Sequence, residues 1–168
     1  MALNARAVKM VRLPAMHFIG PKIRLNLNKA YDDDVERLWA DKFTNSIAAL
    51  SLFSVYGNRY GVIKPVDEQG NADYFAAVQT PKAAVVPADA QAIDVPARSY
   101  AWLKIRRPAE VSRAIDQIIG QFLKYDAPEY WRNPKYPCIT VYNRQTEDMR
   151  VHGVDVYVPA ELAVLATS

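Results

Sequence analysis

The chain states one pattern twice. An extended opening, a helix of roughly sixteen residues and a two-stranded hairpin recur about 75 positions further on, and repetition on that scale marks a supersecondary unit used in duplicate. Helices are predicted near Asp32 to Leu50 and Pro108 to Lys124, and hairpins near Arg59 to Gln79 and Tyr136 to Pro159. One unit alone leaves the apolar face of its hairpin uncovered, so the two must share a core. The seam between such units is a natural place for a ligand cleft. A chain of 168 residues holds one domain of this kind rather than two ordinary ones. Its half-units lie at approximately 1–80 and 93–160.

Local chemistry sets the element boundaries. Val8 to Leu27 reads as an extended opening, interrupted at Pro14 and at Gly20-Pro21 as in a bulged or two-piece strand. Asp32, Asp33 and Asp34 then offer an N-cap and first-turn negative charge. The helix that follows carries Val35, Leu38, Trp39, Phe43, Ile47 and Leu50 at helical spacing. Arg59 to Val66 and Ala72 to Gln79 flank a polar loop containing Gly70, a hairpin signal. Thr80 to Ala92 is a connector in which Pro81 and Pro87 prevent regular structure. The second unit runs from a strand at Tyr100 to Ile105, through a helix with Pro108 in its first turn, to a hairpin of Ile139 to Tyr142 with Val154 to Val158. Its turn is placed around Gln145 to Met149, and Pro159 is expected to end the ladder because it cannot donate to it. Two helices with roughly eight short strands joined by hairpins predict an α+β fold with antiparallel sheets.

Several functions are excluded or disfavoured at this level. The longest near-apolar stretch, Ser46 to Tyr56, is too short to span a membrane. The N-terminal residues lack the pattern of an export signal, and the lone Cys138 can close no intrachain disulfide, so a cytoplasmic location is expected. The net charge of +3 is dispersed among acids, and no helix-turn-helix or zinc module is visible, so direct nucleic-acid binding is not expected. His17 and His152 stand far apart without ligand-spaced partners, so neither a metal nor another cofactor is expected. Nucleophile-elbow and phosphate-loop patterns are absent, and no catalytic residue is assigned.

The aromatic inventory is what remains: three Trp, ten Tyr and five Phe, several beside carboxylates. Glu36, Trp39 and Phe43 fall at i, i+3 and i+7 of the first helix, which puts an acid and two rings on one face. Asp126 to Trp131 gathers two acids and two aromatics, among them Glu129 and Trp131. Either group could cage an organic cation, attracted to each ring face by roughly 0.5–2 kcal/mol. The same spacings also suit a plain core stripe, a solvated Glu36 and an ordinary packed loop. Tyr74, Trp102 and Tyr142 fall on strands where one face is buried in any case.

At this point a resemblance enters. Val95 to Ala101, Glu129-Tyr130, Pro137 to Tyr142 and Val154 to Pro159 resemble the signature of the GyrI-like effector-binding domain, the drug-sensing part of AraC/XylS-type and MerR-type multidrug regulators. The first unit matches more loosely, through Tyr60 to Val62 and Asp73 to Val78. The resemblance implies a pseudo-twofold pair of strand-helix-strand-strand units, a curved barrel-like sheet with two main helices, and a pocket for lipophilic cations with a buried glutamate. That glutamate commonly stands in a Pro-x-x-Glu-x-Tyr pattern, and here Thr140 replaces it. The acid would then come from Glu36 or Glu129, with Asp155 third. The expected ligand set is Glu36, Trp39, Phe43, Tyr60, Tyr74, Trp102, Glu129, Trp131 and Tyr142.

The chain is accordingly read as a stand-alone sensor or sequestering module, similar to cation-binding proteins of integron cassettes, with a transcription regulator as a further partner. Two alternatives stay open. Some GyrI-like proteins resemble hydrolases of strained electrophiles, which need two carboxylates with separated pKa values around a water. A protein-interaction role is the other.

Overall fold

The computed structural model describes residues 7–43, 58–107, 110–144 and 151–163. The opening segment is three strands, β1 (Lys9–Leu13), β2 (Met16–Gly20) and β3 (Lys22–Asn26), broken at the two places where proline interrupts it. Helix α1 begins at Asp32–Arg37 and continues through Leu38–Phe43 with the wider π-helical repeat. Tyr31, not an aspartate, occupies its N-cap and no side chain caps it; the acids sit in the first turn, where Asp34 pairs with Arg37. The expected continuation to Leu50 lies outside the described residues. Strands β4 (Arg59–Pro65) and β5 (Asn71–Gln79) form the first hairpin, and β6 (Gln91–Val95) and β7 (Arg98–Ile105) follow the proline-rich connector. Helix α2 runs over Val111–Gln117 and, again with π-helical spacing, over Ile118–Asp126. Then come β8 (Tyr130–Arg132), β9 (Cys138–Arg144) and β10 (Val151–Leu162). Pro108 and the turn around Gln145 to Met149 lie outside the described residues.

All ten strands join one antiparallel sheet in the order β1-β7-β10-β9-β4-β5-β2-β6, with β3 also on β5 and β8 also on β10. The fold is α+β, and among the described residues the sheet is curved and open, with β1 and β6 at the two ends of its main path. Its centre carries the duplication: β7-β10-β9 of the second unit meets β4-β5-β3 of the first across the β9–β4 pair. Pairing there is symmetric about Gly61 opposite Thr140, with Ile63 facing Cys138 on one side and Arg59 facing Tyr142 on the other. The pseudo-dyad relating the two strands therefore passes between Gly61 and Thr140.

Each sheet face has its own core. The helices cover one face, where Leu38 and Phe43 of α1 and Ala114 and Ile118 of α2 share one buried cluster with Tyr74, Ala76, Leu103, Val154, Val156 and Val158 of the sheet. Each fully buried branched side chain there contributes roughly 1.5–3 kcal/mol. The other face holds a second cluster around Phe18, Tyr60, Val62, Tyr100 and Ile139.

One expected boundary is corrected. Strand β10 does not stop at Pro159; it continues to Leu162, with Pro159 opposite Tyr100 and Ala160 opposite Arg132. The Pro159 carbonyl accepts from Asn133, so its missing donor points to the same side, where β9 has ended and β8 has only begun. Proline fits that changeover at no cost in ladder bonds. No described helix is long and apolar enough to cross a membrane.

Candidate functional site

The sheet brings Thr140, Tyr142, Tyr74 and Gly61 together at the pseudo-dyad on the helix-covered face. Thr140 Oγ1 donates to the Gly61 carbonyl at 3.2 Å, with the side chain fully enclosed. Gly61 has to be glycine, because a Cβ there would lie 2.5 Å from both Thr140 Oγ1 and the Tyr74 hydroxyl. Helix α1 lays Trp39 over this spot, and its indole N–H donates to the Tyr74 hydroxyl at 3.0 Å. Trp39 also meets Phe43, with ring centroids 4.6 Å apart, and the edge of Tyr142 at 5.8 Å. Burial pushes the Tyr74 phenol well above its ordinary pKa, with the Tyr142 hydroxyl acting in the same direction and the Trp39 N–H opposing.

Trp39, Phe43, Tyr74 and Tyr142, four of the expected ligand residues, thus stand together on this face. Trp39 packs against the rings of Phe43 and Tyr142, and the Arg59 guanidinium stands 4.8 Å over Phe43. A neutral network of two phenols, an indole and the Thr140 hydroxyl occupies the place where the resemblance puts a carboxylate.

The other expected residues are placed elsewhere. Glu36 is exposed, in a shallow groove with Asp33 and Arg37, because it lies on the side of α1 turned from the sheet. Glu129 is exposed as well, and it is its backbone carbonyl that is engaged, by Ala163 N–H. Trp131 lies on β8 and is 45% exposed. Tyr60 faces the opposite side of the sheet, against Phe18 at 5.0 Å, with its hydroxyl donating to Gln79. Trp102 shares that opposite side, where its N–H donates to Asp155 at 2.9 Å and Asn143 donates to the second Asp155 oxygen. Strand alternation accounts for this split, since odd and even positions point to opposite faces. None of the three nominated acids reaches the helix-covered face.

What the sequence reading missed is an open cleft of about 590 Å³ between α2 and the β4–β5 hairpin. That volume lies in the ordinary range for small-molecule sites. Ile63 and Cys138, directly paired on β4 and β9, form its floor; Ile115 and Ile119 of α2 form one wall, and Leu27 and Tyr31 another. Asp67 and Glu68 of the hairpin loop and Asp116 of α2 bring three carboxylates to it, and Arg132 lines it beside Cys138. Asp67 is held ionised below its usual pKa, first by the Asn71 side-chain amide and then by the Asn71 and Gln69 backbone N–H groups. Burial pushes the Cys138 thiol up, with Arg132 opposing. The signal that could have found the wall was Ile115 and Ile119 at i, i+4 with Asp116 beside them; the acids of the hairpin loop read only as turn residues. Among the described residues, no group of three or more His, Cys, Asp or Glu is arranged to hold a metal.

A duplicated unit with two helices on one face of a shared sheet, and a small-molecule-sized cleft beneath one of them, is the setting in which the sequence comparison decides. The pattern of integron-associated effector binding proteins matches residues 9–160. The chain belongs to that family. No curated protein matches the sequence. Among solved structures, the chain is similar to SAV2435 bound to tetraphenylphosphonium, with a TM-score of 0.71 at 16% identity over 92% of this chain and 93% of that one. It is similar also to the EcmrR C-terminal domain, with a TM-score of 0.61 at 9% identity over 93% and 98% of the two chains. A hydrolase from Listeria innocua shares the fold at a TM-score of 0.51 and 10% identity over 93% and 92%. Identities this low speak to the fold alone, and a fold hosts many functions.

Proposed function

We propose that the chain is a receptor for lipophilic, positively charged aromatic compounds, which it binds without turning them over. The observation that carries this reading is the cleft itself: a floor of Ile63 and Cys138, walls of Ile115, Ile119 and Tyr31, and three carboxylates around them. Apolar walls favour a ring system by removing its surface from water, at about 25 cal/mol per Å². The acids select for positive charge, each by the modest amount expected of a solvent-facing pair. Binding is favoured over hydrolysis because Thr140 replaces the carboxylate at the pseudo-dyad and because Asp67, already ionised, is a poor general acid. The tetraphenylphosphonium complex of SAV2435, a protein of the same fold, supports the choice of ligand class. The liganded form either engages a transcription regulator or withdraws the compound from solution.

The test is a calorimetric titration with tetraphenylphosphonium, beside its neutral relative triphenylphosphine oxide. Saturable binding of the cation is expected, weaker binding of the oxide, and a loss of roughly two- to fivefold for each of Asp116→Asn and Glu68→Gln, the range of about 0.5–1 kcal/mol for an exposed ion pair. No saturable binding, or equal affinity for both compounds with both variants unchanged, would remove the proposal.

A further inference from the structure

One polar group in the cleft has no role in holding a cation. Arg132 lies on β8 opposite Ala160 of β10, and Ala160 belongs to the helix-side core, so the pairing sets Arg132 on the cleft face. Its guanidinium lines the cleft beside Pro134 and the Cys138 thiol. The arginines Arg24, Arg37 and Arg98 each have a carboxylate within ion-pair distance. Arg132 has none among the described residues, and its Nε is enclosed with no acceptor.

A guanidinium is permanently charged, carries five N–H donors and no acceptor, and is costly to enclose unless oxygen atoms meet it. A thiol is a weak acceptor and does not fill that role. The planar fork of donors matches a carboxylate in two parallel hydrogen bonds. Acids already stand elsewhere around the same cleft, at Asp67, Glu68 and Asp116.

We infer that Arg132 receives a carboxylate of the bound molecule, so that the preferred guests of this cleft are zwitterionic aromatic compounds and not simple cations. The positive group faces Asp67, Glu68 and Asp116, and the carboxylate meets Arg132. This assignment rests on the cleft being the binding site, as proposed above.

Rhodamine 110 and its methyl ester, rhodamine 123, test it, because the two dyes share one cationic ring system and differ in whether the carboxyl is free. By fluorescence anisotropy the free acid is expected to bind about tenfold more tightly than the ester. Arg132→Met should lose that preference while binding the ester and tetraphenylphosphonium at least as tightly as the parent does, because it removes a positive charge from the cleft, and Arg132→Lys, which keeps charge without the fork, should retain part of it. Equal or tighter binding of the ester by the parent overturns the inference. So does an Arg132→Met variant that weakens both dyes alike. If the Met variant does not fold, as judged by circular dichroism, the parent's acid-to-ester ratio and the Lys variant decide. Failure of tetraphenylphosphonium to bind the parent at all brings down the cleft reading as well, whereas its binding alongside an indifferent acid-ester pair brings down only the role of Arg132.

Discussion

Thr140 stands at the centre of the shared sheet, opposite Gly61. Its hydroxyl is satisfied by the Gly61 carbonyl in a space that already holds the Tyr74 phenol, with no room for a Cβ on Gly61. Restoring an acid there by Thr140→Glu would place a charge in an enclosed space lined by the Gly61 carbonyl and the Tyr74 phenol, at a cost of about 3–5 kcal/mol. Desolvation raises such a carboxyl's folded pKa above its unfolded value, so its contribution is least unfavourable below the unfolded value and worsens as pH rises through the folded one. Urea denaturation of this variant should show a larger deficit against the parent at pH 8 than at pH 4.5, with Thr140→Gln giving no such difference; equal deficits would mean the seat is wet. Tyr100 offers a converse case. Its hydroxyl is buried without a partner among the described residues, and burial raises its pKa to about 12, as it does for Tyr157. Their stabilising neutral forms are complete below about pH 10, the ordinary phenol value, and are lost as pH climbs toward 12. Tyr100→Phe removes the orphan hydroxyl, so at pH 7 its stability should equal the parent's or exceed it by up to about 1 kcal/mol. Its melting temperature should also fall less steeply between pH 10 and 12. A variant that melts several degrees lower at pH 7 would show that the hydroxyl has an unseen partner.

At the scale of the element, β10 has the most demanding task. It pairs with β7 on one side and, in succession, with β9 and β8 on the other, over the twelve residues Val151–Leu162. A register irregularity between Val151 and Val154 lets it begin, and Gly153 within it has φ of +127°. An alanine Cβ there would meet nothing nearer than the flexible Lys104 side chain at 3.4 Å, so sterics outside the backbone are not the obstacle. The strain is in the dihedral alone, at about 1–3 kcal/mol. Gly153→Ala is therefore expected to lower the unfolding free energy by that amount, read as a lower urea midpoint at an unchanged m-value. A neutral effect would indicate that β10 relaxes by shedding the irregularity. Pro159 belongs to the same argument, since it stands at the handover from β9 to β8 where a donor is not needed.

For the whole molecule, the legible part of the fold was what repeats or alternates. Two helices, both hairpins and the break at Gly20-Pro21 follow from local spacing and from proline and glycine chemistry, and the duplication then implied the shared core. The face on which a strand residue lands was less legible: Tyr60, Trp102 and Asp155 were expected near the rings of α1, yet period-two alternation turned them to the opposite side of the sheet. The cleft was illegible for a different reason, since its parts come from β4, the first hairpin loop, α2 and β8, which only the sheet order assembles. That order also interlocks the two units at three places. β4 pairs with β9 at the centre, β1 of the first unit pairs with β7 of the second, and β2 of the first pairs with β6 of the second. Neither unit can therefore leave without stripping strands from the other, and a hairpin with one helix leaves an apolar sheet face open to water. The chain is expected to unfold in a single calorimetric transition with equal calorimetric and van't Hoff enthalpies. Residues 1–80 and 93–168, produced separately, should each show unfolded amide dispersion by NMR and gain order on mixing. Two resolved transitions, or a first unit that folds alone, would mean that the outer pairings contribute little and that the duplicated halves retain the independence their repetition suggests.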